Sequence, residues 1–316
     1  MRRRRSRFRN VAPLLLLACA WPSRARAQAC CAGASAVTPG RLEPHEDALV
    51  GTEVKAASVI GSYQLSGAFL APPPGTPEYD FEEDLFGAVR FLRRGQVALL
   101  VPFVETYRQT PLDGAHFGGG IGDVNLAGRY DFILAGESRY VPGIALLLGL
   151  TVPTGKSLSG SALAQFGPFF GSASQPLAVD ATGIGAFQLN GALALEQIFG
   201  PWLVNATAIV AKRTAAGGET LGTQVTFLVA GAYTFPNDAA VALSASYAFE
   251  GDGTIDGADA PDSAKALTVV SASVLWPLRD AYRLLAGVYV DPPVEGLGYN
   301  QPAQIGMTLT AIRSWM

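Results

Sequence analysis

Roughly twelve short segments of this chain alternate apolar residues with small or polar ones, and the connections between them are by turns short and long. The clearest segment runs from Val124 to Leu134, where Val124, Leu126, Gly128, Tyr130, Phe132 and Leu134 interleave with Asn125, Ala127, Arg129 and Asp131. Val225 to Phe235 and Val241 to Phe249 repeat the pattern. A period of two means a strand whose faces meet different surroundings. Further segments fall near 52–71, 81–93, 96–107, 143–153, 183–197, 202–212, 264–276, 281–290 and 304–315. Segment 143–153 is apolar on both faces, and periodicity alone leaves it open to a short buried helix.

Arg94-Gly95, Phe199-Gly200-Pro201, Pro236-Asn237-Asp238 and Pro277-Leu278-Arg279-Asp280 have the composition of tight turns, and 135–142 joins this short series. Long connections fall between them near 72–80, 108–120, 154–182, 213–221, 250–263 and 291–303. A barrel with short periplasmic turns and long external loops shows this alternation. In hydrocarbon every backbone N–H and C=O needs a partner within the sheet, so the sheet must close and leave no edge. The expectation is an all-β fold: a closed antiparallel up-and-down transmembrane β-barrel of about 12 strands over 52–316. Trp202, Trp276 and Trp315 stand beside short turns or at the C-terminal end, where one aromatic girdle belongs.

The first 27 residues read as an export signal. Six arginines precede Asn10, Val11–Ala20 is apolar around four leucines, and Ala25-Arg26-Ala27 offers small residues for cleavage. A second cleavage reading exists, since Leu16-Leu17-Ala18-Cys19 resembles a lipoprotein box that would leave Cys19 lipidated. Residues 28–51 then form a short N-terminal periplasmic arm. Eight of the 23 basic residues and none of the 26 acids lie in this leader, leaving 15 against 26 and a net charge of −11. So acidic a chain lacks the clustered cations that nucleic acid demands. The compartment expected is the bacterial outer membrane, with the bilayer, the outer-membrane assembly machinery and a small-molecule solute as partners.

Motifs that suggest enzymes or cofactors fail on spacing. Thr154-Gly155-Lys156-Ser157 ends like a phosphate loop, but the position that needs glycine is Leu150 and no helical pattern follows. Gly118-Gly119-Gly120-Ile121-Gly122 leads into a strand rather than a helix and reads as an external loop. The only histidines are His45 and His116, and His116 has no serine two residues on, so no catalytic residues and no cofactor are expected. Cys30 and Cys31 are adjacent, which strains a disulfide between them; with His45 and Glu46 they form a candidate soft-metal site, alongside a disordered tail, an intermolecular disulfide or a strained vicinal one.

Gly122-Asp123-Val124 running into Arg129-Tyr130, followed by Gly149-Leu150-Thr151-Val152-Pro153-Thr154-Gly155-Lys156, resembles the outer-membrane barrels associated with the meta-cleavage pathway of phenol degradation. The resemblance implies a transporter-like porin and passive uptake of small, aromatic or hydrophobic compounds. The alternative is a non-transporting structural or surface-interaction barrel. Strand phase directs Asp84, Arg90, Asp123, Asn125, Arg129, Asp131 and Glu196 into the lumen, with Arg129 and Asp123/Asp131 as the candidate constriction. In the longest loop, Phe166, Phe169 and Phe170 are candidates for an apolar gate.

Overall fold

The computed structural model describes residues 40–110, 114–156, 181–216, 218–279 and 281–316. Twelve long strands form the wall: β1 (Ala48–Tyr63), β2 (Glu78–Phe91), β3 (Gly95–Thr110), β4 (Val124–Ile133), β5 (Gly143–Val152) and β6 (Gln188–Phe199). The second half continues with β7 (Trp202–Arg213), β8 (Gln224–Thr234), β9 (Ala240–Glu250), β10 (Lys265–Arg279), β11 (Tyr282–Val290) and β12 (Gln301–Trp315). Each pairs antiparallel with its chain neighbours, and β1 pairs with β12 from Ala48↔Trp315 to Tyr63↔Gln301. That last pairing closes the sheet into a barrel.

Alternation decides which side chain meets which surroundings. On β4, Leu126, Tyr130 and Phe132 are exposed on the outer face while Arg129 is buried within. The ambiguous 143–153 segment is β5, with Ala145 and Leu147 buried inside and Leu146, Leu148 and Leu150 exposed outside. Both of its faces are apolar because one meets lipid and the other meets a packed part of the lumen. Outward aromatic residues gather in two bands. Phe91, Tyr130, Phe132, Phe199, Trp202, Trp276, Tyr282 and Trp315 lie toward the short turns, and Tyr79, Phe81, Phe103, Phe117, Phe187, Tyr247 and Phe249 toward the long loops.

Three boundaries differ from the sequence expectation. The first strand starts at Ala48, inside the range expected for the arm, because Asp47 N–H already donates to the carbonyl of Trp315 at 2.8 Å. Residues 52–71 are not one strand: β1 ends at Tyr63, Gly67 takes a positive φ in a turn, and Phe69–Leu70 return to pair with Ser62 and Tyr63. The glycine run is not a free loop either, since Gly114–Ile121 pairs with the upper part of β3 before the chain re-enters the wall at Val124. A strand as long as β3 overhangs its neighbour β4, and this segment covers the overhang. Outside the wall, Glu219–Thr220, Gly253–Ile255 and Ala258–Ala260 form a small separate sheet over the long loops.

Candidate functional site

The lumen is the only interior an up-and-down barrel has, and its two ends differ. At the turn end, residues 40–47 fold back inside the wall. Leu42 joins a continuous apolar layer with Leu49, Phe86, Ala98, Leu203, Leu275, Leu285 and Ile312, filled out by alanines of β2, β8 and β9. The layer draws residues from β1–β3 and β6–β12, so it crosses most of the lumen rather than lining one wall. Gly40 sits deep enough that an added Cβ would stand 3.3 Å from Phe86 and 3.4 Å from Leu49.

Polar groups lock this segment in place. Arg283 reaches Glu43 at 2.6 Å and Glu46 at 2.9 Å, and all three side chains are almost fully buried. Arg90 donates from Nε to the carbonyl of Glu46 at 2.7 Å and from Nη2 to that of Glu43. Gln96 Oε1 accepts the Leu42 amide at 3.1 Å. Arg41 grips Glu196 through both terminal nitrogens; Arg129 donates to Glu196 at 3.1 Å and Asp131 at 2.7 Å, and Asn205 completes the set at 3.0 Å. Charge-assisted pairs of this kind are strong when every member is satisfied, and losing one member strands a buried charge. A cavity of about 20 Å³, with room for roughly one water, lies beside Arg41, Pro44 and Leu134.

Above the apolar layer the lining turns polar. Lys55 bridges Glu82 at 2.8 Å and Asp84 at 2.6 Å, with Glu53 at 3.5 Å and held by Thr310. Higher still, Arg108 pairs with Glu78 at 3.0 Å and Asp80 at 2.6 Å on one side. On the opposite side Arg213 binds Glu250, Gln188 and Gln224. Hydroxyls and amides fill the wall between, including Asn125 to Thr151 at 3.0 Å and Ser244 to Ser271 at 2.6 Å. Tyr289 lies against this wall opposite Gly306, where a Cβ would collide with its ring. Just past the end of β11, Asp291 is buried and accepts the Gln304 amide at 2.8 Å; burial pushes its carboxyl up to about 6.

The residues of the expected constriction separate. Arg129, Asp131 and Glu196 meet near the turn end, whereas Asp123 stands at the loop end and binds backbone instead. Its two oxygens accept the amides of Gly155 at 3.0 Å and Ile184 at 2.7 Å. Thr154 donates to the Gly122 carbonyl, and Thr182 to that of Ile121. Glycine is required here by contact: a Cβ on Gly183 would run into the Asp123 carboxylate, and one on Gly155 would meet Gly183 at 2.8 Å. Gly122-Asp123 and Thr154-Gly155-Lys156 thus form a knot that joins the two ends of the 157–181 connection, with the Thr182 amide on the Lys156 carbonyl at 2.9 Å.

Asp84 binds Lys55 and Asn125 binds Thr151 on the polar lining, and Arg90 holds the backbone of residues 43–46. Phe166, Phe169 and Phe170 lie outside the described residues, as do Cys30, Cys31 and the leader. His45 is half exposed, with Nε2 at 3.5 Å from Glu43, and among the described residues no group of three or more His, Cys, Asp or Glu side chains is placed to hold a metal ion. Arg41, Leu42 and Glu43 were not anticipated, and Glu46, a candidate metal ligand from the sequence, is instead buried on Arg283. Their signal is Arg283, which faces inward with Ile312 and Pro277 as cross-strand neighbours and needs its acids from outside the wall.

No protein-family model matches the chain, and no curated protein matches it. Among solved structures, an outer membrane channel from Pseudomonas putida F1 superposes with a TM-score of 0.68 at 14% identity, covering 85% of this chain and 96% of that one. The KdgM porin aligns at 9% identity with a TM-score of 0.45, over 84% of this chain and 99% of the porin. At these identities the likeness concerns the fold, and the first of the two bears it out as a closed twelve-strand barrel of the outer-membrane type.

Proposed function

We propose that the chain is a bacterial outer-membrane channel for passive entry of small solutes, closed in this conformation at its periplasmic end by residues 40–47. The observation that carries the reading is the contrast within one lumen: a polar, hydrogen-bonding cup above, and below it an apolar layer completed by Leu42, which belongs to a separate segment and not to the wall. A barrel of twelve strands lies between those filled by their own side chains and those with open aqueous channels, so a short segment suffices to stop it. Lys55, Arg108, Arg213 and the hydroxyl wall suit solutes with hydrogen-bonding groups. Phenols and aromatic acids meet that requirement, and the resemblance noted above supports them; plain hydrocarbons do not. The chemistry is passage rather than reaction, and no catalytic group is assigned.

A second reading, a structural or surface-interaction barrel that transports nothing, is favoured by the completeness of the apolar layer. Permeation into liposomes separates the two. The refolded, heat-modifiable barrel and a variant lacking residues 28–46 are compared for phenol, benzoate and a sugar of similar size, against protein-free liposomes. The channel reading expects little entry through the intact barrel and clear entry through the variant, faster for benzoate than for the sugar. No entry through a correctly folded variant moves the chain to the structural class.

A further inference from the structure

The outer face carries a concavity that the wall itself does not need. Over β7–β11 an apolar groove of about 800 Å³ opens to the membrane side, floored by Gly231 and Ala272 and walled by Trp202, Tyr233, Leu243 and Val288. Its occupant has to be apolar, since nearly all of the lining is carbon. Beyond its turn end stands a cation. Arg313 of β12 is exposed among lipid-facing neighbours, 4.8 Å from the ring centroid of Trp315 and 5.5 Å from that of Tyr282, with which it is paired across the strands. Among the described residues no carboxylate lies within ion-pair distance of it. A guanidinium held between two aromatic rings by cation–π attraction keeps its charge and its N–H donors for an anion, and Arg is the side chain suited to phosphate.

The two features share a strand. Tyr282 lies four residues before Ala286, which lines the groove, and four strand residues span about 13 Å. A phosphate held at Arg313, at the level of the turn-side aromatic band, therefore has its acyl chain entering the groove from below. We infer that this face is a binding site for one anionic phospholipid of the periplasmic leaflet, the headgroup phosphate on Arg313 and an acyl chain along Gly231 and Ala272. The charge supplies the choice of an anionic lipid, and the groove supplies a place that orders one acyl chain.

Native mass spectrometry of the refolded barrel in detergent tests it, with dioleoyl phosphatidylglycerol and dioleoyl phosphatidylcholine added in turn. The expected result is at least fivefold stronger retention of phosphatidylglycerol by the unaltered barrel. Arg313→Gln brings the two lipids to parity, and Ala286→Phe, an exposed position where a ring fills the groove without entering the wall, lowers retention of both. Heat-modifiability confirms that each variant is folded. Equal retention of the two lipids by the unaltered barrel, or a preference that survives Arg313→Gln, overturns the headgroup assignment. Retention unchanged by Ala286→Phe overturns the groove assignment, and a dimer that Ala286→Phe abolishes gives the groove to a second copy of the chain instead.

Discussion

The two ends of the lumen are built by opposite means. At the turn end, side chains from ten strands and Leu42 pack into an apolar layer, and buried ion pairs hold the stopper against it. At the loop end, Asp123, Thr154 and Thr182 bind backbone groups around three close-packed glycines, and the lumen beside them stays polar. A barrel wall of uniform geometry thus carries an apolar end and a polar end, set by the residues placed on its inward positions. The apolar layer is completed by Leu42, which comes from a segment outside the wall.

The largest effect expected is at Arg283. Changing Arg283→Ala leaves the acids of Glu43 and Glu46 buried without their cation, a loss on the order of 3–5 kcal/mol. The stopper should leave the lumen, seen as faster amide exchange at Leu42 and a rise in permeation while the barrel stays heat-modifiable. An unchanged Leu42 amide would show that Arg90 and Arg41 hold the segment by themselves.

At the loop end the expected loss is smaller. Asp123→Ala removes one acceptor from each of two amides, about 1–3 kcal/mol in total, and should speed exchange at Gly155 and Ile184 by tenfold or more. Leu42 should be unaffected, because the two ends share no contact of this kind. A joint response of both ends would show that the two are coupled through the wall. The smallest effect is that of Asp291, whose carboxyl is pushed up to about 6 by burial. A raised acid binds its proton more tightly folded than unfolded, so its cost is present above about pH 6 and disappears as pH falls toward its ordinary range. Stability of the refolded barrel should therefore gain slightly between pH 7 and pH 5, and Asp291→Asn should remove that gain. A slope unaltered by the substitution would place the pH response elsewhere.

The wall was legible because period two and the alternation of short and long connections are properties of the chain itself. Leu126, Tyr130 and Phe132 could be assigned outward, and Arg129 inward, from phase alone. Two things were not legible. Asp123 continues the phase of β4, yet its carboxylate turns to the backbone of Gly155 and Ile184, partners that become neighbours only when the strands pair. The stopper has no periodicity to announce it, being eight residues with a turn at Pro44, and its charges make sense only against Arg90, Glu196 and Arg283 on strands distant in the chain. The family-like motif of residues 121–156 thus marks how a long connection is tied to the wall, and phase could not distinguish that role from a constriction.

Single-channel conductance in planar bilayers shows whether residues 40–47 close the barrel, comparing the intact barrel with the variant lacking residues 28–46 under the same salt. The intact barrel should stay mostly closed, with at most brief openings, and the shortened one should hold a steady open level. Equal conductance of the two would contradict it, since the seal would then not depend on residues 40–47.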